Sequence, residues 1–592
     1  MKAEDLVSGG QDKTGILNEI SRLPADFRCL VKELSFQLLR HWIECLCVCL
    51  CAIVLGIWLA QHVNGLSGWG DPLTYIHLAF NRNTYLGRST HIYLLAPFVW
   101  FSNSIISGAN AFSATVVSMI FMLTYTVSRY LSRSMLVGIV SILILWAQPY
   151  WVTHAGDPSA DYTVAMFSVL VILIFLFAVQ NDPMRNIVLL GMGCALYFTF
   201  HAKEINATML LPLGLGLGFG GAGQPFSLNR LVRDILFISM GILLGIVGLM
   251  ILDTLITHDP LRSIRIDTWM QYMQKASIPE SQSLRETLPW LYKEVNRYAQ
   301  LAMQWESLTS LLLYIISIQV FNRYSRSQRV VWLIPLTQIL IWAAVMSVAS
   351  QGSSLRHFFP AMVVISICAA QVFTPIAHKT VRDKLVLLIS SALAVILAII
   401  YYNHWFDLVA QSGWSKENAL NTIFSPLLLS ALLITIFLSG GKWKPILFGV
   451  PLFCLLTLTA NASVANGLYL QQGRPGNNTD LFYPLETFKN ELSFSPDMNI
   501  FVSKQTTNEN FFYPYYEVTS WLFEIYLKKH TNQFTLTQEN LKKYVQDYNR
   551  YRYAFVTSTE WNSLPAATRK VIEQGHRVLS DPAKRIILIK VD

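Results

Sequence analysis

Residues 154–212 read HAGDPSADYTVAMFSVLVILIFLFAVQNDPMRNIVLLGMGCALYFTFHAKEINATMLLP. Two apolar runs, 161–180 and 187–201, flank a polar turn that holds Arg185, and the second run stops at Lys203 and Glu204. At about 1.5 Å per helical residue, some 20 apolar residues cross the roughly 30 Å hydrocarbon core of a bilayer, and shorter runs serve inside a bundle. The stretch therefore reads as two successive membrane spans. Its charges sort by end: Arg185 lies at one, and Asp157, Asp161, Lys203 and Glu204 lie at the other.

Working outward, the same pattern repeats. Apolar stretches of about 15 to 22 residues occur near 42–62, 109–128, 134–150, 161–180, 187–201, 205–220, 234–255, 306–321, 330–350, 359–376, 384–401, 423–439 and 445–465. The reading is a polytopic α-helical membrane protein of about thirteen transmembrane helices. Composition agrees: of 592 residues, 53% are hydrophobic and only 14% charged, against the roughly 25% charge of a soluble domain. That excludes an ordinary soluble enzyme. The 33 Phe, 25 Tyr and 16 Trp exclude a disordered chain, and 8 Cys are too few for a disulfide-stapled one.

The net charge of +9 does not point to nucleic acid, because the basic residues are spread between apolar runs instead of forming one patch. With the N-terminus inside, every alternate loop is basic: Arg129 and Arg133; Arg185; Arg230 and Arg233; Arg323, Arg326 and Arg329; Lys379, Arg382 and Lys384; Lys442 and Lys444. Positive residues stay on the cytoplasmic side. The expectation is a multi-pass protein of the plasma (inner) membrane with a cytoplasmic N-terminal tail, 1–41, and an odd number of spans. The tail has no apolar core and no cleavage site of a signal peptide, and its amphipathic stretch 16–42 suits a surface-lying helix.

After residue 466 polar residues return and apolar runs shorten to strand length. Residues 499–503, 553–557 and 585–591 are predicted strands, and 518–529 and 538–548 predicted helices. The chain then divides into the tail 1–41, a membrane domain 42–465 and a C-terminal extracytoplasmic α/β domain 466–592. Cys45, Cys47, Cys49 and Cys51 alternate along the first span; a spacing of two puts them on divergent helix faces, which suits packing and not a metal chelate. No Walker, GxSxG or HExxH motif is present.

Charged groups near membrane depth are costly and mark function first. They gather at the outer ends of spans: Asp71, Arg82, Arg88 and His91 in the first outside loop, Asp157 and Asp161 in the second, then Lys203 and Glu204, then Arg356 and His357. A carboxylate beside fixed cations suits transfer reactions in which the carboxylate takes a proton from the nucleophile while the cations hold a departing phosphate. Each group also has a structural reading. Asp71, Asp157 and Asp161 sit where helix caps belong, Lys203 and Arg356 can reach for the interface, and buried histidines are commonly fasteners.

The order of these elements resembles the GT-C superfamily of integral-membrane glycosyltransferases, in the branch of the lipid A aminoarabinose transferases and protein O-mannosyltransferases. The matching elements run through about residues 40–375: Asp71 with Tyr75 in the first outside loop, His91-Ile-Tyr93-Leu-Leu, Asp157 after the third span, Gly193-Cys-Ala through Lys203-Glu204 to Pro212, and Arg356-His357-Phe-Phe-Pro360. The lone Asp71 and the absence of prolines after His91 depart from the usual pattern. The resemblance implies transfer of a sugar from a polyprenyl-phosphate-linked donor to an acceptor hydroxyl of a lipid, glycan or protein, with inversion, at the outer membrane face. It implies Asp71 or Asp157 as catalytic base, Lys203, Arg356 and Arg88 on the donor phosphate, and Tyr75, His91, Tyr93, Glu204 and His357 around the substrates. A divalent metal stays open, no other cofactor is expected, and nucleic acid is not a partner. The loop 256–305 is a candidate lid. The rival reading is a non-catalytic transporter or flippase of lipid-linked sugars; the absence of an internal repeat and the one-sided charges favour an enzyme. A third reading, an O-antigen ligase or polymerase, would not call for the Asp71 loop.

Overall fold

The computed structural model describes residues 21–36 (except 22 and 34), 41–62, 70–84, 87–102, 105–146, 158–180, 184–219, 225–265, 305–348, 359–374, 499–503, 531–534, 551–580 and 586–590. Among the described residues up to 374, the regular elements are all helices. Its helices are α1 (Trp42–His62), α2 (Gly70–Phe80), α3 (Ser89–Phe101), α4 (Ile105–Ser132), α5 (Met135–Trp146), α6 (Ala160–Gln180), α7 (Arg185–Ala202), α8 (Leu210–Phe219), α9 (Leu228–Thr257), α10 (Trp305–Ser317), α11 (Leu333–Val348) and α12 (Phe359–Ala370). Ser107–Ser132, Ala160–Gln180 and Leu228–Thr257 are long and apolar enough to cross a membrane. The ten expected spans up to residue 376 each overlap helix where their residues are described, whereas 384–401, 423–439 and 445–465 lie outside the described residues.

Between the first two expected spans the structure adds α2 and α3, where the sequence was read as loop. Only 13 residues long, α3 reaches about 20 Å and cannot cross the hydrocarbon core. It is nevertheless enclosed along most of its length, from Ser89 to Val99.

The faces of α9 show how the sequence places itself in lipid. Asp234, Phe237, Gly241, Gly245, Leu249, Asp253 and Ile256 are buried, at helical spacing, while Leu243, Leu244, Val247, Ile251 and Leu255 are exposed. Both carboxylates thus face protein and the aliphatic side chains face outward, as a bilayer demands. Against that buried stripe α7 packs backbone to backbone. A Cβ on Gly193 would stand 2.0 Å from the Ile238 carbonyl oxygen, and one on Gly241 would stand 2.0 Å from that of Leu190. Small residues allow such an approach, and close packing is what joins helices where water gives no hydrophobic drive. The Gly193 of the sequence motif is thereby a packing residue.

Ion pairs join helix ends and fix the relative directions of the helices. Glu44, at the start of α1, accepts hydrogen bonds from Tyr125 (2.5 Å) and Arg129 (2.8 Å) near the end of α4, so α1 and α4 run antiparallel. Arg185, at the start of α7, forks onto Asp234 near the start of α9 (2.5 and 3.2 Å) and also donates to the Leu217 carbonyl (3.2 Å). Helices α7 and α9 therefore run parallel, with α8 returning between them. The alternate ends bring Asp161, Lys203 and Asp253 toward the opposite face.

The C-terminal part contains a five-stranded sheet in the order β2-β1-β3-β5-β4. Strands β1 (Asn499–Ser503), β3 (Tyr551–Thr557) and β5 (Ile586–Lys590) are those expected from the sequence. Strands β2 (Thr531–Phe534) and β4 (Arg577–Ser580) were not expected, nor were α13 (Ser558–Ser563) and α14 (Ala566–Gly575). Each missed strand has four residues and lies at a sheet edge, where a buried apolar run is not required. β1 runs parallel to β2 and β3, and β5 is antiparallel to β3 and β4. Ile587, Leu588 and Ile589 are all buried, so the strand between two partners is covered on both faces. The helices expected at 518–529 and 538–548 lie outside the described residues.

The cysteines described in α1 are free, with Cys47 and Cys51 exposed and Cys45 and Cys49 partly so.

Candidate active site

The site is organised by a break between α7 and the 3-10 helix Glu204–Met209. Lys203 caps α7 in extended conformation (φ −169°, ψ 137°), its amide still bonded to the Thr199 carbonyl (3.1 Å). In extended backbone successive side chains leave on opposite sides. Lys203 turns inward and pairs with Asp161 in the first turn of α6, both side chains being buried. Glu204 turns the other way and meets Arg88, the residue that caps α3.

The Arg88 guanidinium is held on several sides. Its Nη1 donates to Glu204 Oε2 (2.5 Å) and to the Gly87 carbonyl (2.5 Å), its Nη2 to Glu204 Oε1 (3.5 Å), and its Nε to the Tyr75 hydroxyl (3.2 Å). Gly87 has φ 81°, a left-handed conformation that glycine adopts without strain, so the chain can turn here into α3. Tyr75 is in α2, one helical turn after Asp71, which lies in that helix's first turn. The Tyr75 ring stands edge-on to His91, with centroids 4.8 Å apart.

His91 is fully enclosed. Its Nε2–H donates to the Pro158 carbonyl (3.0 Å), which can only accept; Nδ1 therefore accepts from the Thr163 hydroxyl (2.8 Å). Burial pushes the imidazole down to about 3, so the ring is neutral. Both nitrogens are engaged, and the ring fastens α3 to the start of α6.

Tyr93 and Asp253 form a second buried cluster. The Tyr93 hydroxyl donates to Asp253 and lies 3.2 Å from the Ser263 hydroxyl, while Asp253 receives the Ser263 amide (2.9 Å) and hydroxyl (2.5 Å). Arg262 Nε donates to Asn83 (3.1 Å). Together these bonds clamp the start of the segment after α9 against α3 and the end of α2.

Of the residues singled out in the sequence, the structure brings together Tyr75, Arg88, His91, Lys203 and Glu204, with Tyr93 in the neighbouring cluster. Asp71 is placed by its backbone. Asp157, Arg356 and His357 lie outside the described residues. Three of these side chains have internal partners: Lys203 pairs with Asp161, His91 with Pro158 and Thr163, and Tyr93 with Asp253. Each is buried and paired, because an unpaired polar group at this depth would cost more than a paired one.

Asp253 and Asn206 were not singled out for the site. An acid inside an apolar helix was the available signal for Asp253. Asn206 donates to the Val164 carbonyl (3.1 Å) and accepts from Ser168 (2.8 Å) and Gln338 (3.2 Å), which pins the 3-10 helix to α6 and α11. That buried amide is thus committed to packing, although it begins a glycosylation sequon. Among the described residues no group of three or more His, Cys, Asp or Glu could hold a metal ion.

No protein-family model matches the chain, and no curated protein sequence does. In three dimensions it is similar to the crystal structure of ArnT from Cupriavidus metallidurans bound to undecaprenyl phosphate, with 12% identity and a TM-score of 0.49 over 92% of this chain and 97% of that one. It is also similar to the Archaeoglobus fulgidus oligosaccharyltransferase in the apo form, with 11% identity and a TM-score of 0.34 over 91% and 74%. A third similarity is to arabinosyltransferase EmbB from Mycobacterium smegmatis, with 14% identity and a TM-score of 0.38 over 74% and 42%. With identities of 11–14% and every TM-score below 0.5, they assign the chain no residue role.

Proposed function

We propose that the chain is a GT-C-type glycosyltransferase of the plasma (inner) membrane that moves a sugar from a polyprenyl-phosphate donor to an acceptor hydroxyl of a lipid, glycan or protein. The observation that carries this reading is the Arg88 fork: a guanidinium at the N-terminal cap of α3, steadied by Tyr75 one helical turn from Asp71. A guanidinium presents two parallel donors to a phosphate, and a helix N-terminus adds partial positive charge.

In the reaction, the acceptor oxygen attacks the anomeric carbon from the face opposite the phosphate. Its bond to that carbon forms as the bond from carbon to phosphate oxygen breaks, and the electron pair leaves with polyprenyl phosphate. Asp71 takes the acceptor's proton, with Asp157 as the alternative base. Arg88 and Arg356 stabilise the charge that builds on the departing phosphate. Lys203 serves through its pair with Asp161, which holds the segment that carries Glu204. His91 fastens α3 to α6 beneath the site, and Tyr93 does the same for α9. His357 and Tyr75 flank the phosphate. The N-terminus is cytoplasmic and the site faces the opposite side.

The test is Asp71→Asn, assayed by transfer of labelled sugar from a polyprenyl-phosphate donor in membranes. The amide cannot accept the proton, and loss of a positioned base costs about 10²- to 10⁴-fold in rate. Polyprenyl phosphate should still bind. Near wild-type turnover would remove Asp71 from the mechanism and pass the role to Asp157. Movement of intact donor across the membrane without sugar transfer would favour the flippase.

A further inference from the structure

The neighbours Lys203 and Glu204 make two ion pairs of unlike character. In the pair of Lys203 with Asp161 the side chains are 7% and 3% exposed; in that of Arg88 with Glu204 they are 12% and 45%. A carboxylate that is partly exposed regains some hydration when its partner is taken, so that pair separates at lower cost than the buried one. The Lys203 pair is the more deeply buried of the two, and the Arg88 pair is the more open to water.

We infer that Glu204 is an internal anion that occupies the Arg88 fork until a lipid-linked phosphate displaces it. The inference rests on the reading of Arg88 as a donor-phosphate contact, and it changes the role of Glu204 from substrate ligand to gate.

The geometry suits an exchange. Both terminal nitrogens of Arg88 point at the two carboxylate oxygens, the same fork a phosphate takes. When Glu204 leaves, Nε stays on Tyr75 and Nη1 on the Gly87 carbonyl, so the guanidinium keeps its orientation. The backbone of Glu204 is also restrained, because the preceding residue is clamped to Asp161 and Asn206, two residues on, is tied to α6 and α11. Only the Glu204 side chain has to swing. A donor phosphodiester carries one negative charge, so the exchange replaces one anion by another at the fork.

The sign of the consequence is unusual for a residue in a binding site: removing it should improve binding. Full-length protein in detergent would be titrated with a polyprenyl monophosphate and, separately, with inorganic phosphate. Glu204→Gln keeps the shape and removes the competing charge, and should tighten polyprenyl phosphate by about 3- to 10-fold, the scale of a partly exposed ion pair. Glu204→Ala should change affinity in the same direction. Arg88→Ala should weaken binding by about tenfold or more, and Glu204→Gln added to it should bring no gain. Equal or weaker binding by both Glu204 variants, with Arg88→Ala still weakened, would overturn the gate and leave Arg88 as a phosphate contact. Unchanged affinity in Arg88→Ala would overturn the phosphate reading itself, and the gate with it. Tightening for inorganic phosphate alone would make the fork a free-phosphate site and overturn the lipid-phosphate assignment.

Discussion

Replacing Lys203 by Met should destabilise the protein even without any ligand. The ammonium pairs with Asp161, and the side chains are 7% and 3% exposed. Coulomb's law at an effective dielectric of about 20 and an ordinary contact of about 3 Å gives roughly 5 kcal/mol for such a pair. Breaking a buried pair by removing one partner typically costs about 3–5 kcal/mol, because the remaining charge is left without compensation. Asp161 would keep the Ser159 hydroxyl (2.9 Å), which softens the loss without cancelling it. The expected cost of Lys203→Met is therefore about 3 kcal/mol, toward the lower end of that range. The measurement is a double-mutant cycle on detergent-solubilised protein, comparing wild type, Lys203→Met, Asp161→Asn and the double variant by thermal unfolding without ligand. Asp161→Asn should also destabilise, and the double variant should recover at least about 1 kcal/mol relative to the sum of the two singles, since no buried charge is stranded in it. Additive effects of the two substitutions would refute the coupling. So would a Lys203→Met protein as stable as wild type, which would mean that Lys203 faces solvent at the mouth and not Asp161.

Gly193→Ala should force α7 and α9 apart, because its Cβ would stand 2.0 Å from a carbonyl oxygen; a loss of about 1–3 kcal/mol or more is expected, while Gly191→Ala, whose Cβ meets nothing within 4 Å, should be neutral or slightly stabilising in a thermal unfolding scan. His91, on a helix that does not span the membrane, has its proton affinity lowered to about 3 by burial. The unfolded chain then binds the proton that the folded one refuses, so this contribution to stability is present above about pH 6.5 and is lost as pH falls toward 3. His91→Gln should flatten the dependence of unfolding temperature on pH in that window; an unchanged slope would show that the imidazole is not held neutral.

The positions of the apolar helices through residue 376 were legible in the chain alone, because spanning a bilayer is a demand of length and hydropathy that neighbouring residues meet among themselves. So was the placing of Arg88, Asp161, Lys203 and Glu204 at helix ends, since a charge at the centre of a span would be too costly. Strands β1, β3 and β5 were likewise visible as short apolar runs, whereas β2 and β4 take their place from pairing with a neighbour. Pairing is what the tertiary structure decided. Asp161 meets Lys203 across 42 residues and Glu204 meets Arg88 across 116, and no local rule connects them. The two adjacent side chains at 203 and 204 part company because one extended residue interrupts the helix there, sending a cation into the protein and a carboxylate toward the mouth. Hydropathy also cannot tell a short apolar helix enclosed by others from a loop, so α3, and with it the enclosure of His91 and Tyr93, emerged only from the packing of α3 against α2, α4 and α7 and from its bonds to α6 and α9.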